Sequence, residues 1–214
     1  MSRLIDSGLQ RLSDQITRMA KMSEEAVSLS LDSYMKGLNV HDKIQALSEN
    51  LVFLSGVIED QAIELIARYQ PVASDLRVLK SYMKIGYDLS RCGRYAWDIA
   101  FIQDRLEMKN TEYMLPNVPL EDMVNTVLDM IGVCMQALQK RDAELAERLK
   151  AQEDRVDTTY VRILDQILRT NTVPVRHIVG NLLFIRHLER IADHVAYIGE
   201  SVVYMVTGER ASLR

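Results

Sequence analysis

Apolar residues recur at spacings of three and four along nearly the whole chain, the period of helices that bury one face. The clearest run is Phe184, Leu188, Ile191, Val195, Ile198, Val202 and Met205. A second run, Ile85, Leu89, Cys92, Ala96 and Ile99, keeps the same phase 99 residues earlier. The pattern predicts six helices, over about 3–37, 41–68, 75–107, 119–140, 143–168 and 175–206. The breaks fall where the backbone chemistry requires them. Gly37-Leu38-Asn39 ends the first helix, and Pro71 stops the second because it cannot continue the hydrogen-bond ladder. Ser74 or Asp75 can cap the third, Thr170-Asn171-Thr172-Val173-Pro174 forms the last turn, and Gly208 closes the sixth.

Residues 108–118, with Asn110, Pro116 and Asn117, are the one plausible linker. Three helices before it and three after it, with matching third helices, predict an all-α protein made of two tandem three-helix bundles. The repeats are residues 1–107 and 119–214, joined either end to end or side by side.

Composition narrows the class. With 48% hydrophobic and 26% charged residues, this is the profile of an ordinary folded domain. A net charge of −4 provides no global field for nucleic acid, so direct nucleic-acid binding is not expected. No window approaches ~18 uninterrupted apolar residues, so no membrane span is expected. The amphipathic start, Met1-Ser2-Arg3-Leu4-Ile5-Asp6, lacks the apolar run of a signal peptide. Cys92 and Cys134 are isolated on predicted helices, which suits buried thiols in a reducing cytoplasm.

Candidate chemistry lies where the repeat departs from itself. Arg186-His187-Leu188-Glu189-Arg190-Ile191-Ala192-Asp193-His194 aligns with Tyr87-Asp88-Leu89-Ser90-Arg91-Cys92-Gly93-Arg94-Tyr95. Leucine and arginine persist, but Ser90 stands for Glu189 and Arg94 for Asp193. Glu189 and Asp193, four apart, share one helical face, as do Glu153 and Asp157 with Asp154 beside them. A hairpin turning near residue 171 brings both pairs to one level. Such acids either ligate a hard or borderline cation or pair with nearby Lys and Arg, with Lys150, Arg155 and Arg190 in reach. Both acids of the last helix lie about a third of a turn off the apolar seam, so a groove or surface position is expected. There is no phosphate loop, cysteine cluster or nucleophile elbow, and no Glu is followed three residues later by His. Trp97, beside Arg94, is either core packing or a partner contact.

The stretch Ile66-Ala67-Arg68-Tyr69-Gln70-Pro71-Val72-Ala73-Ser74-Asp75-Leu76-Arg77 resembles the signature of the PhoU family, a Gln-Pro-x-x-x-Asp-Leu-Arg turn between the second and third helices of a unit. The run from His187 to His194 resembles its other signature, Leu-Glu-Arg-Ile-(Gly/Ala)-Asp-His. Together with the duplication and the length, these motifs span nearly the whole chain. The resemblance implies a cytoplasmic, non-enzymatic regulator that negatively modulates a phosphate ABC transporter, through its ATPase, or a phosphate-responsive sensor histidine kinase. A homodimer goes with that reading. The resemblance also implies that the acidic motifs can hold multinuclear iron or zinc, which here means Glu153, Asp154, Asp157, Glu189 and Asp193.

The first half departs at each of these places. Besides Ser90, Arg94 and Tyr95, alignment through Tyr69-Gln70-Pro71 sets Ser48, Glu49 and Val52 opposite Glu153, Asp154 and Asp157. A guanidinium repels a cation, so at most one metal site is expected, in the second half. The first half is expected to present Arg91, Arg94, Tyr95 and Trp97 to a protein partner instead. Two alternatives stand beside the regulator. One is a metal-dependent hydrolase built on the second-half acids, the other a structural helical dimerisation module. An enzyme needs an enclosed pocket and a positioned acid or base. Acids off the seam beside no nucleophile weigh against one, so no catalytic residue is expected.

Overall fold

The computed structural model describes residues 4–107, 119–169 and 173–214. They form α1 (Asp6–Lys36), α2 (His41–Tyr69), α3 (Ala73–Arg105), α4 (Leu120–Lys140), α5 (Ala143–Glu147), α6 (Leu149–Leu168) and α7 (Val175–Thr207), with no strand among the described residues. The architecture is the pair of three-helix bundles that the periodicity predicts. The expected linker and residues 170–172 of the last turn lie outside the described residues.

Each helix buries one stripe and ends on a defined stop. Along α1 the buried side chains include Leu12, Ile16, Met19, Val27, Leu31 and Tyr34. Gly37, at φ 71°, then turns left-handed and returns its N–H to the Ser33 carbonyl at 2.8 Å. Gly208 closes α7 the same way at φ 82°. The α2–α3 turn is sharper, because Gln70 and Ala73 both adopt positive φ on either side of Pro71 and Val72. That turn starts α3 at Ala73 with no side-chain cap, so neither Ser74 nor Asp75 is the N-cap. Backbone bonding closes the turn in its place, from the Asp75 N–H to the Val72 carbonyl at 3.2 Å.

The expected fifth helix is divided. Asp142 caps α5 by accepting the Leu145 N–H at 3.0 Å, and Arg148 interrupts the helix while keeping right-handed geometry (φ −64°, ψ −21°). A kink without Gly or Pro leaves no mark in the sequence. It lies where Leu149 and the Ala146 backbone crowd against Gly199 of α7.

The halves lie side by side. In the first, α1, α2 and α3 pack on one another; in the second, α4, α6 and α7 do, with α5 against α7. The joint between them is α3 on α7, running antiparallel, since Arg77 lies at Gly208, Lys84 at Tyr197 and Tyr95 at His187. Cys92 Sγ approaches the Ile191 carbonyl at 3.9 Å, and these two residues hold the same place in the repeat. A local two-fold axis therefore passes between them. Deep in this joint Tyr34 of α1 stacks on Phe184 of α7, with centroids 3.7 Å apart and rings 4° from parallel.

Candidate functional site

Near the two-fold axis the apolar seam gives way to polar groups. Asp88, fully buried on α3, meets His194 Nδ1 at 2.9 Å and Lys84 Nζ at 3.1 Å. The repeat maps Asp88 onto His187 and His194 onto Tyr95. Correspondingly, Tyr95 packs against His187, with centroids 5.8 Å apart, and also against His194 at 5.7 Å. The same geometry is thus filled by a carboxylate–imidazole hydrogen bond on one side of the axis and a ring contact on the other. Burial, with help from Arg186, lowers the His187 imidazole below its ordinary range. Burial likewise raises both thiols, with the Asp88 charge adding to it, so Cys92 and Cys134 stay protonated and unreactive.

The second-half acids gather along the same stretch of α7, with Glu189 and Asp193 lying between His187 and His194 in the chain. Glu153, Glu189 and Asp193 are 2%, 7% and 1% exposed, whereas Asp154 and Asp157 are exposed on the outer side of α6. The groove or surface position expected of Glu189 and Asp193 is therefore wrong for both, since each is buried. Packing of α6 on α7, and the segment after α7 folding back, close over the face that helical phase alone leaves at the edge.

Arginines hold these acids. Both oxygens of Glu189 accept from Arg186 Nη1 at 2.8 Å, and Arg190 adds two further 2.8 Å bonds through Nε and Nη2. Asp193 lies 3.0 Å from Arg190 Nη2 and 2.8 Å from Arg214 Nε, close enough to pair but without aligned hydrogen bonds. Arg214 is anchored by its own bond to the Tyr197 hydroxyl at 2.6 Å. Glu153 has a buried oxygen with no hydrogen-bond partner. Burial, then the charges of Asp157, Asp193 and Asp154, push its carboxyl up to about 7. Asp193 is raised too, chiefly by burial and Glu189, against the pull of Arg190 and Arg214.

The two predicted acidic pairs therefore converge to the point of feeling each other's charge. Among the described residues, however, no three Asp, Glu, His or Cys side chains close into a metal-holding group. By donor chemistry the set suits a hard or borderline cation, with Glu153 and Asp193 offering oxygens not fixed by aligned hydrogen bonds. Arg186 and Arg214 were not among the expected partners. Arg186 was legible from its three-residue spacing to Glu189, but Arg214, twenty-one positions from Asp193, was not.

In the first half, the residues expected to meet a partner form two cation–ring pairs on α3. Arg91 Nη2 donates to the Tyr95 hydroxyl at 2.8 Å, and Arg94 lies 5.1 Å over Trp97, which stacks on the exposed Phe101. Ser90 is buried and donates to the Tyr87 carbonyl at 2.7 Å. Trp97 is partly buried, so it serves packing and surface together. No helix among the described residues is long and apolar enough to cross a membrane.

Comparison with known proteins follows the same duplication. The family model of the PhoU domain matches residues 16–102 and again 120–202. The chain is 32% identical to the phosphate-specific transport system accessory protein PhoU homolog of Synechocystis sp., over 96% of this chain and 92% of that one. It is 29% identical to the protein of that name from Clostridium acetobutylicum, over 99% and 98%. The crystal structure of the phosphate transport system regulatory protein PhoU from Streptococcus pneumoniae superposes with a TM-score of 0.83 at 26% identity, covering 97% of this chain and 99% of that one. PhoU from Pseudomonas aeruginosa shares the fold, with a TM-score of 0.89 at 23% identity over 96% and 100%.

Proposed function

The chain belongs to the PhoU family, and from that premise we propose that it is a regulator of phosphate transport that works by surface contact, without turnover. The observation that carries this reading is similarity over nearly the full length, in both repeats, to relatives named as accessory proteins of phosphate-specific transport. On this reading the protein acts in the cytoplasm as a homodimer. Its partners are the ATPase of a phosphate ABC transporter, a phosphate-responsive sensor histidine kinase, or both, and its effect on them is negative. The patch of Arg91, Arg94, Tyr95 and Trp97 provides the contact, because paired cations and rings offer large, pre-positioned area at low entropic cost. Deleting the gene is expected to raise phosphate uptake in phosphate-replete cells, and the tagged protein is expected to co-purify with the ATPase or the kinase. Unchanged uptake together with capture of neither partner contradicts the proposal.

A metal-loaded second half is a second reading, favoured by the unpartnered buried oxygen of Glu153 and the unaligned carboxylate of Asp193. Glu153, Asp154, Asp157, Glu189 and Asp193 would hold iron or zinc, which would supply the positive charge that Arg186, Arg190 and Arg214 provide here. Elemental analysis of protein purified without chelators tests this. Metal present in the wild type and lost from the folded Glu189→Ala/Asp193→Ala variant supports it. Protein that stays metal-free after loading removes it.

A further inference from the structure

A further set of charged side chains lies beside the acids, toward the C-terminal end of α7, where Lys84 stands over the Tyr197 ring whose hydroxyl anchors Arg214. There a pocket of about 340 Å³ opens between α3, the last turns of α7 and the segment that follows. Its walls include Lys80, Ser81 and Lys84 from α3, Glu200 and Tyr204 from α7, and Arg210 from the following segment. Lys84 is engaged by Asp88, and Lys80 lies 5.0 Å over the Tyr204 ring. Among the described residues neither Lys80 nor Arg210 is paired with a carboxylate. The one acid in the wall, Glu200, is partly occupied by the Leu213 N–H at 3.1 Å, a bond that also holds the segment carrying Arg210 in place.

Ser81 adds an independent sign of a ligand. Its side chain is 2% exposed and its hydroxyl has no hydrogen-bond partner, although it lines the pocket. A buried hydroxyl without a partner is costly, and a ligand oxygen removes that cost. Two uncompensated cations and a waiting donor, converging in a concave site, are the recognition chemistry of an oxyanion. A phosphoryl group accepts several such bonds at once. The volume is at the lower end of the range for small-molecule sites, which run from roughly 300 to 1,000 Å³. Tyr204 and Ala211 add apolar surface to the wall, against which an organic group on the phosphate would pack.

We propose that this pocket binds a phosphoryl-bearing small molecule, with inorganic phosphate as its smallest form. The site involves neither the acid cluster nor the Trp97 patch, so it stands whichever partner the protein regulates. Calorimetric titration of the full chain with inorganic phosphate and, separately, with AMP tests it. Saturable binding of at least one is expected. Lys80→Ala and Arg210→Ala should each weaken it by about tenfold, the loss of one charge-assisted bond. Glu200→Gln removes a like charge but keeps an acceptor for Leu213, and should bind as tightly or more tightly. Tighter AMP points to an organic phosphate, and equal or tighter inorganic phosphate to the bare ion. Circular dichroism confirms that each variant is folded. The proposal is overturned by no saturable binding of either probe at concentrations on the order of 10 mM. It is also overturned by affinity that survives both cation variants, or by Glu200→Gln weakening binding as they do.

Discussion

The two halves share a frame and differ in what they hang on it. Leu89 and Leu188, fully buried, occupy matching positions, as do Cys92 and Ile191 where the helices meet. The polar shell follows another rule. Ser48 and Glu153 are equally buried, and so are Ser90 and Glu189, yet one half fills these sites with small hydroxyls and the other with carboxylates. A buried serine satisfies itself locally, as Ser90 does on the Tyr87 carbonyl. A buried carboxylate must recruit cations, and the second half supplies Arg186, Arg190 and Arg214. The apolar seam is held by the joint it forms, whereas the polar positions were free to diverge.

The hardest blow to this comparison falls on the joint. Phe184→Ala removes a fully buried ring stacked on Tyr34 across the two halves. It should cost about 3–5 kcal/mol, and urea denaturation should show both halves losing structure in one transition. Two separate transitions would mean that the halves fold independently.

Next in size is the difference in polar chemistry. Glu189→Ala leaves Arg186 and Arg190 without their shared acceptor and should cost about 1–3 kcal/mol, reduced because both guanidiniums reach solvent. Ser90→Ala, its counterpart in the repeat, should cost less than about 1 kcal/mol. Equal costs in denaturant titrations would erase the distinction between the halves.

A pH series sharpens it further. Glu153 holds its proton up to about pH 7 in the folded chain but only to its ordinary 4.5 when unfolded. Its contribution is therefore most favourable below 4.5 and declines as the pH rises through that window to about 7. Glu153→Gln, compared in the presence of a chelator, should flatten this decline and be the more stable protein above neutrality. A decline of the same size in the variant would assign it to another group.

Much of this was legible in the sequence, for reasons that can be named. The seam from Phe184 to Met205 and its copy from Ile85 to Ile99 revealed the helices and the duplication because burial imposes a period. The convergence of the Glu153 and Glu189 turns followed from helix rise and a hairpin. What stayed hidden depends on contacts between distant residues. Helical phase put Asp193 at an edge, and the packing of α6 together with the fold-back of Leu213 and Arg214 buries it. The Arg148 kink has no breaker residue. Asp88 reads as one acid among many until His194, 106 positions away, arrives at 2.9 Å.

The change that bears most on function and less on stability falls on the first-half patch. Arg94→Ala/Trp97→Ala trims a partly solvated pair and should cost no more than about 1–2 kcal/mol, yet it removes the surface assigned to the partner. Affinity for the purified transporter ATPase, compared across wild type, this double variant and Glu189→Ala/Asp193→Ala, tests the central claim most directly. The account predicts at least about tenfold weaker binding for the first-half variant, with the second-half variant close to wild type when both are folded. Equal losses in both variants, or full binding by Arg94→Ala/Trp97→Ala, would contradict it.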